Sequence, residues 1–290
     1  MKFCMDNSHN QTAKNIVDDD FFIKKKFSQN FLLDENIINK IIKSANIDET
    51  SYVIEIGPGL GALTKHLVKR AKKLLVYEVD KDLIPILNDF FKGEDSIKII
   101  NEDFLKIRID EDIKKYLDGS DKVIVISNLP YHITTPIIMK ILEESENISS
   151  MTMMMQLEVA RRLTSKPNTK DYNALSIIIQ DQTEAEFLFK VPKTVFKPKP
   201  KVDSAVIKLT KKPNDDKANK LEFYKFLHQA FAQRRKTLVN NLADAYPNIT
   251  KDTFKEILHK NLISDTIRGE ALSLEEFKKI YNDFLKERKK

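Results

Sequence analysis

A glycine-rich turn follows the first strongly apolar run of the sequence, in YVIEIGPGLGALTKHL (52–67). Gly57, Gly59 and Gly61 would let the backbone adopt unusual dihedral angles and let a ligand approach without a Cβ in the way. The spacing is G-x-G-x-G and differs from the G-x-G-x-x-G of dinucleotide-binding proteins. Taken alone, the turn predicts either a ligand site or a plain structural turn.

Two later strand ends supply further groups that could bind a nucleoside. Glu78 closes the apolar run LLVYE and stands 21 positions after Gly57, where a carboxylate can accept hydrogen bonds from both hydroxyls of a ribose. Asp103 and Phe104 follow the next apolar run and could contact the amine and the ring of an adenine. In series with the glycine turn, these residues predict a cofactor that contains adenosine.

The segment SNLPYHITTP (127–136) follows the fourth apolar run and carries the chemistry. It resembles motif IV of the N6-adenine methyltransferases. The general form of that motif is Asp, Asn or Ser, followed by two prolines and then Tyr or Phe. The Asn-Leu-Pro-Tyr form is similar to that of the small-subunit rRNA adenine N6,N6-dimethyltransferase family. The alternative interpretation is a proline turn after a buried strand.

The resemblance implies how adenine N6, a poor nucleophile because its lone pair is delocalised into the ring, would be activated. The side-chain oxygen of Asn128 and the backbone carbonyl of Leu129 would each accept one N6 hydrogen, so that the lone pair points at the methyl donor. Pro130 restricts the turn and Tyr131 offers a face on which the base can stack. The transfer would then depend on proximity and electrostatics, without a metal or a strong base.

The resemblance also implies S-adenosylmethionine as the cofactor. The segment KKKFSQNFL (24–32) is similar to a basic segment of the family that closes over the cofactor, with Ser28 where the family usually has glycine. Residue-by-residue carry-over predicts the following cofactor contacts: Asn30, Leu32, Gly57, Glu78, Asp103 and Asn128.

A lysine- and proline-rich stretch, VPKTVFKPKPKVDSAV (191–206), matches the family pattern F-x-P-x-P-x-V-x-S. A base can enter a catalytic pocket only from a loop or after flipping out of a duplex. Phe196 would stack on the face of that base opposite Tyr131, and Lys197, Lys199 and Lys201 would contact phosphate. The alternative is a solvated loop with one core phenylalanine.

These residues need a parallel sheet to position them. The apolar runs at 52–56, 74–79, 97–100 and 122–127 alternate with helical stretches, which is typical of βαβ units, and runs at 185–191 and 204–210 predict a closing pair. We therefore expect an α/β, Rossmann-like class I methyltransferase domain with a small all-helical C-terminal domain. The predicted boundaries are a flexible arm at 1–20, the methyltransferase domain at 21–210, a linker at 211–220 and the helical domain at 221–290.

The positive charge of the chain is concentrated at one end. The 290 residues carry a net charge of +6, and residues 211–290 hold 18 Lys and Arg against 12 Asp and Glu. Such an excess is typical either of a surface that binds a polyanion or of solvated lysine-rich helices. Within FAQRRKTLVNNL (231–242), which resembles the helical domain of the small-subunit enzymes, Arg234, Arg235 and Lys236 are candidate phosphate ligands because three consecutive helical residues cannot all face a core.

Cysteine and hydropathy patterns narrow the class of protein. Cys4 is the single cysteine and there are five histidines, so we expect no internal disulfide and no metal site. The sequence has no apolar leader and no apolar run of about 18 residues, so we expect a cytoplasmic protein that does not span a membrane. We also expect a monomer.

The predicted function is dimethylation of two adjacent adenosines near the 3′ end of small-subunit (16S) rRNA, with a role in ribosome biogenesis. The expected partner is a pre-30S particle, because a basic domain suits a large RNA. Three alternatives stay open: a macrolide-resistance methyltransferase of large-subunit rRNA, which usually has Asn-Ile-Pro-Tyr; a related mitochondrial transcription factor; and a non-catalytic RNA-binding assembly factor.

Overall fold

The computed structural model describes residues 30–120, 122–213 and 217–288, which form two compact units. Of these residues, the α/β unit contains those up to Ala160 together with Glu186–Lys211. The helical unit contains Arg161–Ala185 and the described residues from Lys212 onward. The predicted arm at 1–20, and Ser28 with most of its basic segment, lie outside the described residues.

The strands of the described chain form one seven-stranded sheet and one two-stranded sheet. They are β1 (Phe31–Leu32), β2 (Tyr52–Ile56), β3 (Lys73–Tyr77), β4 (Ile97–Ile100), β5 (Val123–Asn128), β6 (Ile148–Gln156), β7 (Thr183–Val191), β8 (Phe196–Lys197) and β9 (Ser204–Lys211). The order in the large sheet is β4-β3-β2-β5-β6-β9-β7. The strands from β4 to β6 are parallel, and β9 runs antiparallel to β6.

The helices follow the strands as a Rossmann-like fold requires. They are α1 (Glu35–Ala45), α2 (Thr64–Leu67), α3 (Ile84–Phe90), α4 (Ile109–Tyr116), α5 (Thr134–Glu144), α6 (Leu157–Leu163), α7 (Ala174–Gln182), α8 (Lys217–Ala230), α9 (Leu238–Ala245), α10 (Lys251–Lys260) and α11 (Leu274–Glu287), with 3₁₀ turns at Lys193–Val195 and Gly269–Ala271. The cap of α1 shows how sequence sets these bounds. Asp34 accepts hydrogen bonds from the amides of Asn36 and Ile37, and Asn46 ends the helix in the left-handed conformation.

The predicted α/β sheet is confirmed, with one strand that the sequence analysis did not identify. The first four predicted runs pair in parallel as β2, β3, β4 and β5, and the predicted closing pair, β7 and β9, are neighbours in the sheet. The missed strand is β6, whose central residues are methionines. Methionine favours helices over strands, but Met151, Met153 and Met154 are fully buried, and their packing decides the structure here.

Aromatic packing holds the helical unit together. The ring of Phe284 lies 5.0 Å from that of Phe226 and 4.7 Å from that of Tyr246. Both Phe226 and Phe284 are buried, as are Phe223, Leu227 and Leu242. The expected helical C-terminal region is therefore present, with α8 to α11 in the described part of the chain.

The predicted linear boundaries differ from the structure at two places. Lys211 belongs to β9 and residues 217–220 to α8, so five of the seven described residues of the expected linker at 211–220 lie in regular structure. In addition, residues 161–185 belong to the helical unit although they precede β9 in sequence. The Tyr172 hydroxyl donates to the Leu272 carbonyl at 2.9 Å, and Lys278 pairs with Asp181 at 2.9 Å. Contacts between such distant residues leave no local signal in the sequence.

Across residues 30–120, 122–213 and 217–288, none of the helices combines the length and apolar character needed to cross a membrane. Over the same residues, no three side chains of His, Cys, Asp or Glu come together in an arrangement that could hold a metal ion.

Candidate active site

A cavity of about 460 Å³ opens at the carboxyl ends of the parallel strands, where open α/β sheets bind their ligands. Its volume suits a small-molecule cofactor. The structure brings every residue predicted to bind the cofactor or to act in catalysis to the wall of this one cavity: Asn30, Leu32, Gly57, Glu78, Asp103, Asn128, Leu129, Pro130, Tyr131 and Phe196.

The glycine turn needs glycine at Gly57 and Gly59 for conformational reasons. Their φ angles are +68° and +58°, in the left-handed region that side chains disfavour. A Cβ on Gly59 would also lie 3.2 Å from the ring of Phe31, a tighter contact than packed atoms normally make. Phe31 therefore covers the turn closely, a role that the sequence analysis did not assign to it.

Glu78 is held beside the glycine turn by two backbone amides. Its Oε2 accepts a hydrogen bond from Gly59 N at 3.3 Å, and its Oε1 accepts one from Asp80 N at 2.8 Å. The side chain is almost completely buried, and this burial raises the pKa of Glu78 above the usual glutamate value. The carboxylate is thus fixed in place at the cavity wall, where it can accept hydrogen bonds from the two hydroxyls of a ribose.

Asp103 and Phe104 lie beyond the end of β4. Asp103 Oδ1 accepts a hydrogen bond from Leu105 N at 3.0 Å, which orients the carboxylate. Phe104 is buried and packs edge-on against Tyr77, with 5.3 Å between ring centroids. Both residues line the cavity, so an acceptor and an apolar surface stand together where an adenine would fit.

The Asn128–Tyr131 segment leaves β5 next to the glycine turn. Ser127 anchors the strand end by donating a hydrogen bond to Ile56 O at 2.5 Å. Within the described segments, the side-chain amide of Asn128 makes no hydrogen bond to another residue, although it lines the cavity. The Tyr131 hydroxyl is 2.9 Å from the Ser204 hydroxyl, which fixes the tyrosine ring. An amide with unused hydrogen-bonding capacity and an oriented aromatic ring therefore face the same space.

Phe196 is tied to the predicted cofactor segment by a short ladder. β1 and β8 pair antiparallel, with Leu32 opposite Phe196 and Phe31 opposite Lys197. Leu33 N also donates to Val195 O at 3.1 Å. This pairing joins residues more than 160 positions apart, and the sequence offered no sign of it. It places a predicted cofactor contact and the predicted base-stacking residue side by side.

The residues present fit a methyl donor that carries adenosine. The left-handed glycine turn, covered by Phe31, leaves backbone accessible at the cavity wall, and Glu78 and Asp103 supply oriented acceptors for a ribose and an adenine. The sequence matches the family model for ribosomal RNA adenine dimethylases over residues 21–280. The chain belongs to this family.

Individual relatives agree with the family assignment. The chain is 45% identical to ribosomal RNA small subunit methyltransferase A of Bacillus licheniformis over 271 residues, which cover 92% of each protein. It is 43% identical to the protein of the same name from Lactococcus lactis, over 92% of this chain and 91% of the relative.

Two solved structures share the fold. A dimethyladenosine transferase from Plasmodium falciparum aligns with a TM-score of 0.74 at 25% identity, covering 89% of this chain and 98% of that one. The 23S rRNA methyltransferase ErmE aligns with a TM-score of 0.69 at 27% identity, covering 88% and 99%.

Membership of the ribosomal RNA adenine dimethylase family confirms the predicted enzyme class and cofactor. The chain is an S-adenosylmethionine-dependent rRNA adenine dimethyltransferase. When bound, S-adenosylmethionine supplies a methyl group on a positively charged sulfur that is a good leaving group. The roles of individual site residues stay predictions, now supported by their position at the wall of one cavity.

The six basic residues predicted to contact RNA do not line the cavity. Lys199 and Lys201 are exposed on the loop that follows β8. Arg234 pairs with Glu270 at 2.8 Å and Lys236 with Asp244 at 2.7 Å. Arg235 is exposed and has no ion pair with any residue that the structure describes.

The expectation that Arg234, Arg235 and Lys236 lie on a helix is wrong. α8 ends at Ala230 and α9 begins at Leu238, so the three residues occupy the turn between the helices. The buried side chain of Asn241 stabilises this turn by donating to the carbonyls of Ala230 and Gln233 at 2.9 and 3.1 Å. Asn241 thereby supplies a donor for the carbonyl of Ala230, the last residue of α8, and for the carbonyl of Gln233 in the turn.

Glu55, on β2 behind the glycine turn, is a buried carboxyl group that the sequence analysis did not single out. Its exposed fraction is 1%, and this burial raises the pKa of Glu55 to about 8. The negative charge of the nearby Glu78 acts in the same direction. The ordinary value is 4.5, so the folded protein holds the proton more tightly than the unfolded chain does. The contribution of this group to stability is therefore complete below pH 4.5 and is lost as the pH rises to about 8.

Replacing Glu55 by glutamine, which is neutral at every pH, is expected to remove this loss. The free energy of unfolding of the variant relative to wild type should increase with pH between 5 and 8, by up to about 1.4 kcal/mol per unit. Urea unfolding at several pH values measures the difference. Exposed Glu49, replaced by glutamine, serves as the control, and parallel pH profiles for wild type and Glu55→Gln would contradict the prediction.

Proposed function

We propose that this enzyme dimethylates two adjacent adenosines near the 3′ end of small-subunit rRNA, within a pre-30S particle in the cytoplasm, and that it acts as a monomer. The observation that carries the proposal is the unpaired Asn128 amide beside Tyr131, at the wall of the cavity that also contains Glu78. Identity also favours the small subunit: it is 45% with the small-subunit relative and 27% with the 23S enzyme ErmE.

The proposed chemistry uses two acceptors and two aromatic rings. Asn128 Oδ1 and the carbonyl of Leu129 each accept one hydrogen of the adenine N6 amine, which directs the nitrogen lone pair toward the methyl donor. Tyr131, held through Ser204, and Phe196 provide surfaces that orient the base. Because the Leu129 carbonyl belongs to the backbone and the Tyr131 ring is held by Ser204, part of this arrangement is in place before the base arrives.

We propose that the helical unit provides contacts to RNA. Arg235 is exposed without an ion pair among the described residues, so its guanidinium is available for a phosphate group. Binding of the rRNA particle should therefore weaken as salt is added. On the α/β unit, Lys199 and Lys201 are exposed on the loop after Phe196, where they could contact the strand on either side of the target base.

A leucine at position 196 is expected to slow turnover without removing the cofactor. Phe196 is 6% exposed and packs in the core with Phe31 and Val206, so alanine would leave a costly cavity, whereas leucine keeps most of the apolar volume. Loss of stacking should lower kcat about 10-fold to 100-fold. Affinity for S-adenosylhomocysteine, measured by calorimetry, should stay near wild type.

Phe189 gives a matched control for the Phe196→Leu variant. It is buried in the same cluster but does not line the cavity, so Phe189→Leu should lower stability by a similar amount and leave kcat unchanged. A large loss of cofactor affinity in Phe196→Leu, or equal turnover in the two variants, would contradict the assigned role.

The proposed target is tested in cells that lack the enzyme. We expect mass analysis of small-subunit rRNA fragments to show two adjacent unmodified adenosines near the 3′ end, which wild type restores to N6,N6-dimethyladenosine. Asn128→Ala should not restore them. If these cells lack dimethyladenosine in large-subunit rRNA and not in small-subunit rRNA, the enzyme has the resistance-type target. Normal particle maturation with the inactive variant would show that any role in assembly is independent of catalysis.

A further inference from the structure

An ion pair between a buried lysine and a partly exposed glutamate lies at the cavity wall, outside the predicted cofactor contacts. Lys65, on α2, donates a hydrogen bond from its ammonium group to Glu35 Oε1, on α1. The side chain of Lys65 is 8% exposed, and both residues line the cavity. Burying a lysine costs free energy unless a partner compensates its charge. An exposed lysine is explained by its contact with water, but a lysine buried at a ligand cavity needs another explanation.

The surroundings of the pair keep Glu35 charged. Glu35 Oε2 also lies 3.1 Å from His66 Nε2. Burial acts to raise the pKa of Glu35, but the hydrogen bond and positive charge of Lys65, together with the contact to His66, hold it below its usual value. Burial lowers the pKa of His66, which favours the neutral form of its ring. The wall therefore presents one cation and one anion side by side.

The position of the pair matches one end of the cofactor. The strand order β4-β3-β2-β5 sets Asp103, Glu78, the glycine turn and Asn128 in sequence along the sheet edge. Glu35 follows β1, and Lys65 N donates to Gly61 O at 3.1 Å, at the end of the glycine turn. With the adenosine at Asp103 and Glu78 and the methyl group at Asn128, the amino-acid end of the cofactor is left for the side of the glycine turn that faces α1 and α2.

Charge complementarity identifies the contacts. The amino-acid end of S-adenosylmethionine carries a carboxylate and an ammonium group. Among the described residues that line the cavity, Lys65 is the only lysine or arginine. We propose that Lys65 binds the carboxylate of the cofactor and that Glu35 binds its α-ammonium group. This proposal rests on the cofactor assigned above and adds two binding residues to its site.

Two ligands separate this proposal from a purely structural role for the pair. S-adenosylhomocysteine carries the amino-acid end, whereas 5′-methylthioadenosine has the same adenosine and sulfur but lacks it. Lys65→Met is expected to weaken S-adenosylhomocysteine binding about 10-fold or more, since charge-assisted hydrogen bonds are lost. Binding of 5′-methylthioadenosine, measured by the same calorimetry, should change less than about 2-fold because no contact to it is lost. Glu35→Gln should give the same pattern.

Two control variants separate the effect of the Lys65 charge from a general effect of the substitution. Lys43→Met removes an exposed lysine from the same helix as Glu35 and should leave both affinities unchanged. Lys65→Arg keeps the positive charge and should retain most of the S-adenosylhomocysteine affinity. Equal weakening of both ligands in Lys65→Met, or no weakening of either, would overturn the proposal. Failure of the wild-type enzyme to bind both ligands would instead overturn the cofactor site itself, and the proposal with it.

Discussion

Replacement of Glu78 by alanine is expected to abolish methyl transfer because the variant loses the cofactor. The carboxylate is held by the amides of Gly59 and Asp80, so it is fixed before a ribose arrives. Two hydrogen bonds to a charged group contribute about 1.5–3 kcal/mol each, so affinity for S-adenosylhomocysteine should fall about 100-fold or more. Calorimetric titration measures this loss directly, without an RNA substrate.

The Glu78 prediction has a control and a pH signature. Exposed Glu94, replaced by alanine, should bind the cofactor like wild type. Burial raises the pKa of Glu78, and the protonated form loses part of its acceptor capacity. Affinity in the wild-type enzyme should therefore decline as the pH is lowered through that raised pKa, while the pH dependence should disappear in Glu78→Ala. Cofactor binding by the alanine variant at wild-type affinity would disprove the assigned ribose contact.

Replacement of Asn128 by alanine is expected to lower kcat about 100-fold to 1,000-fold, the effect of removing one hydrogen-bonding group that stabilises a transition state. The side-chain amide of Asn128 has no hydrogen-bond partner among the described residues. Its loss therefore breaks no internal hydrogen bond and should leave the fold intact. The decrease in cofactor affinity should be much smaller than the decrease in kcat. Single-turnover transfer to rRNA particles separates the two quantities.

Aspartate at position 128 provides the matched comparison. It has nearly the same size as asparagine and keeps an oxygen that can accept a hydrogen from the adenine N6 amine. We therefore expect Asn128→Asp to retain more activity than Asn128→Ala. If the two variants are equally inactive, or if alanine is tolerated, Asn128 does not act as the N6 acceptor.

The part of the site that the sequence predicts well is the part attached to consecutive strand ends. Gly57, Glu78, Asp103 and Asn128 each follow an apolar run that forms a parallel strand. The carboxyl ends of such strands meet at one edge of a sheet. Their residue types and their order along the chain were therefore enough to place them together.

The parts that the sequence did not predict depend on contacts between distant residues. The ladder between Leu32 and Phe196, the cover that Phe31 provides over Gly59, and the pair formed by Glu35 and Lys65 join elements that no local pattern connects. In the sequence, Lys65 looks like an ordinary exposed lysine on a helix, and only its burial in the structure distinguishes it.

The helical unit shows the same limit. A helical C-terminal domain was predicted, but the turn at Arg234 depends on Asn241, and the inclusion of residues 161–185 depends on contacts such as Tyr172 with Leu272. Side-chain hydrogen bonds of this kind stop a helix or join a segment at positions where propensity alone gives no boundary.

The central claim is S-adenosylmethionine-dependent dimethylation of small-subunit rRNA, and transfer of a labelled methyl group tests it most directly. Purified small and large ribosomal particles from cells lacking the enzyme would each be incubated with wild type and with Asn128→Ala, and the modified nucleoside identified by mass. We predict N6,N6-dimethyladenosine on small particles with the wild-type enzyme only. Label on large-subunit rRNA, or on neither particle, would contradict this account.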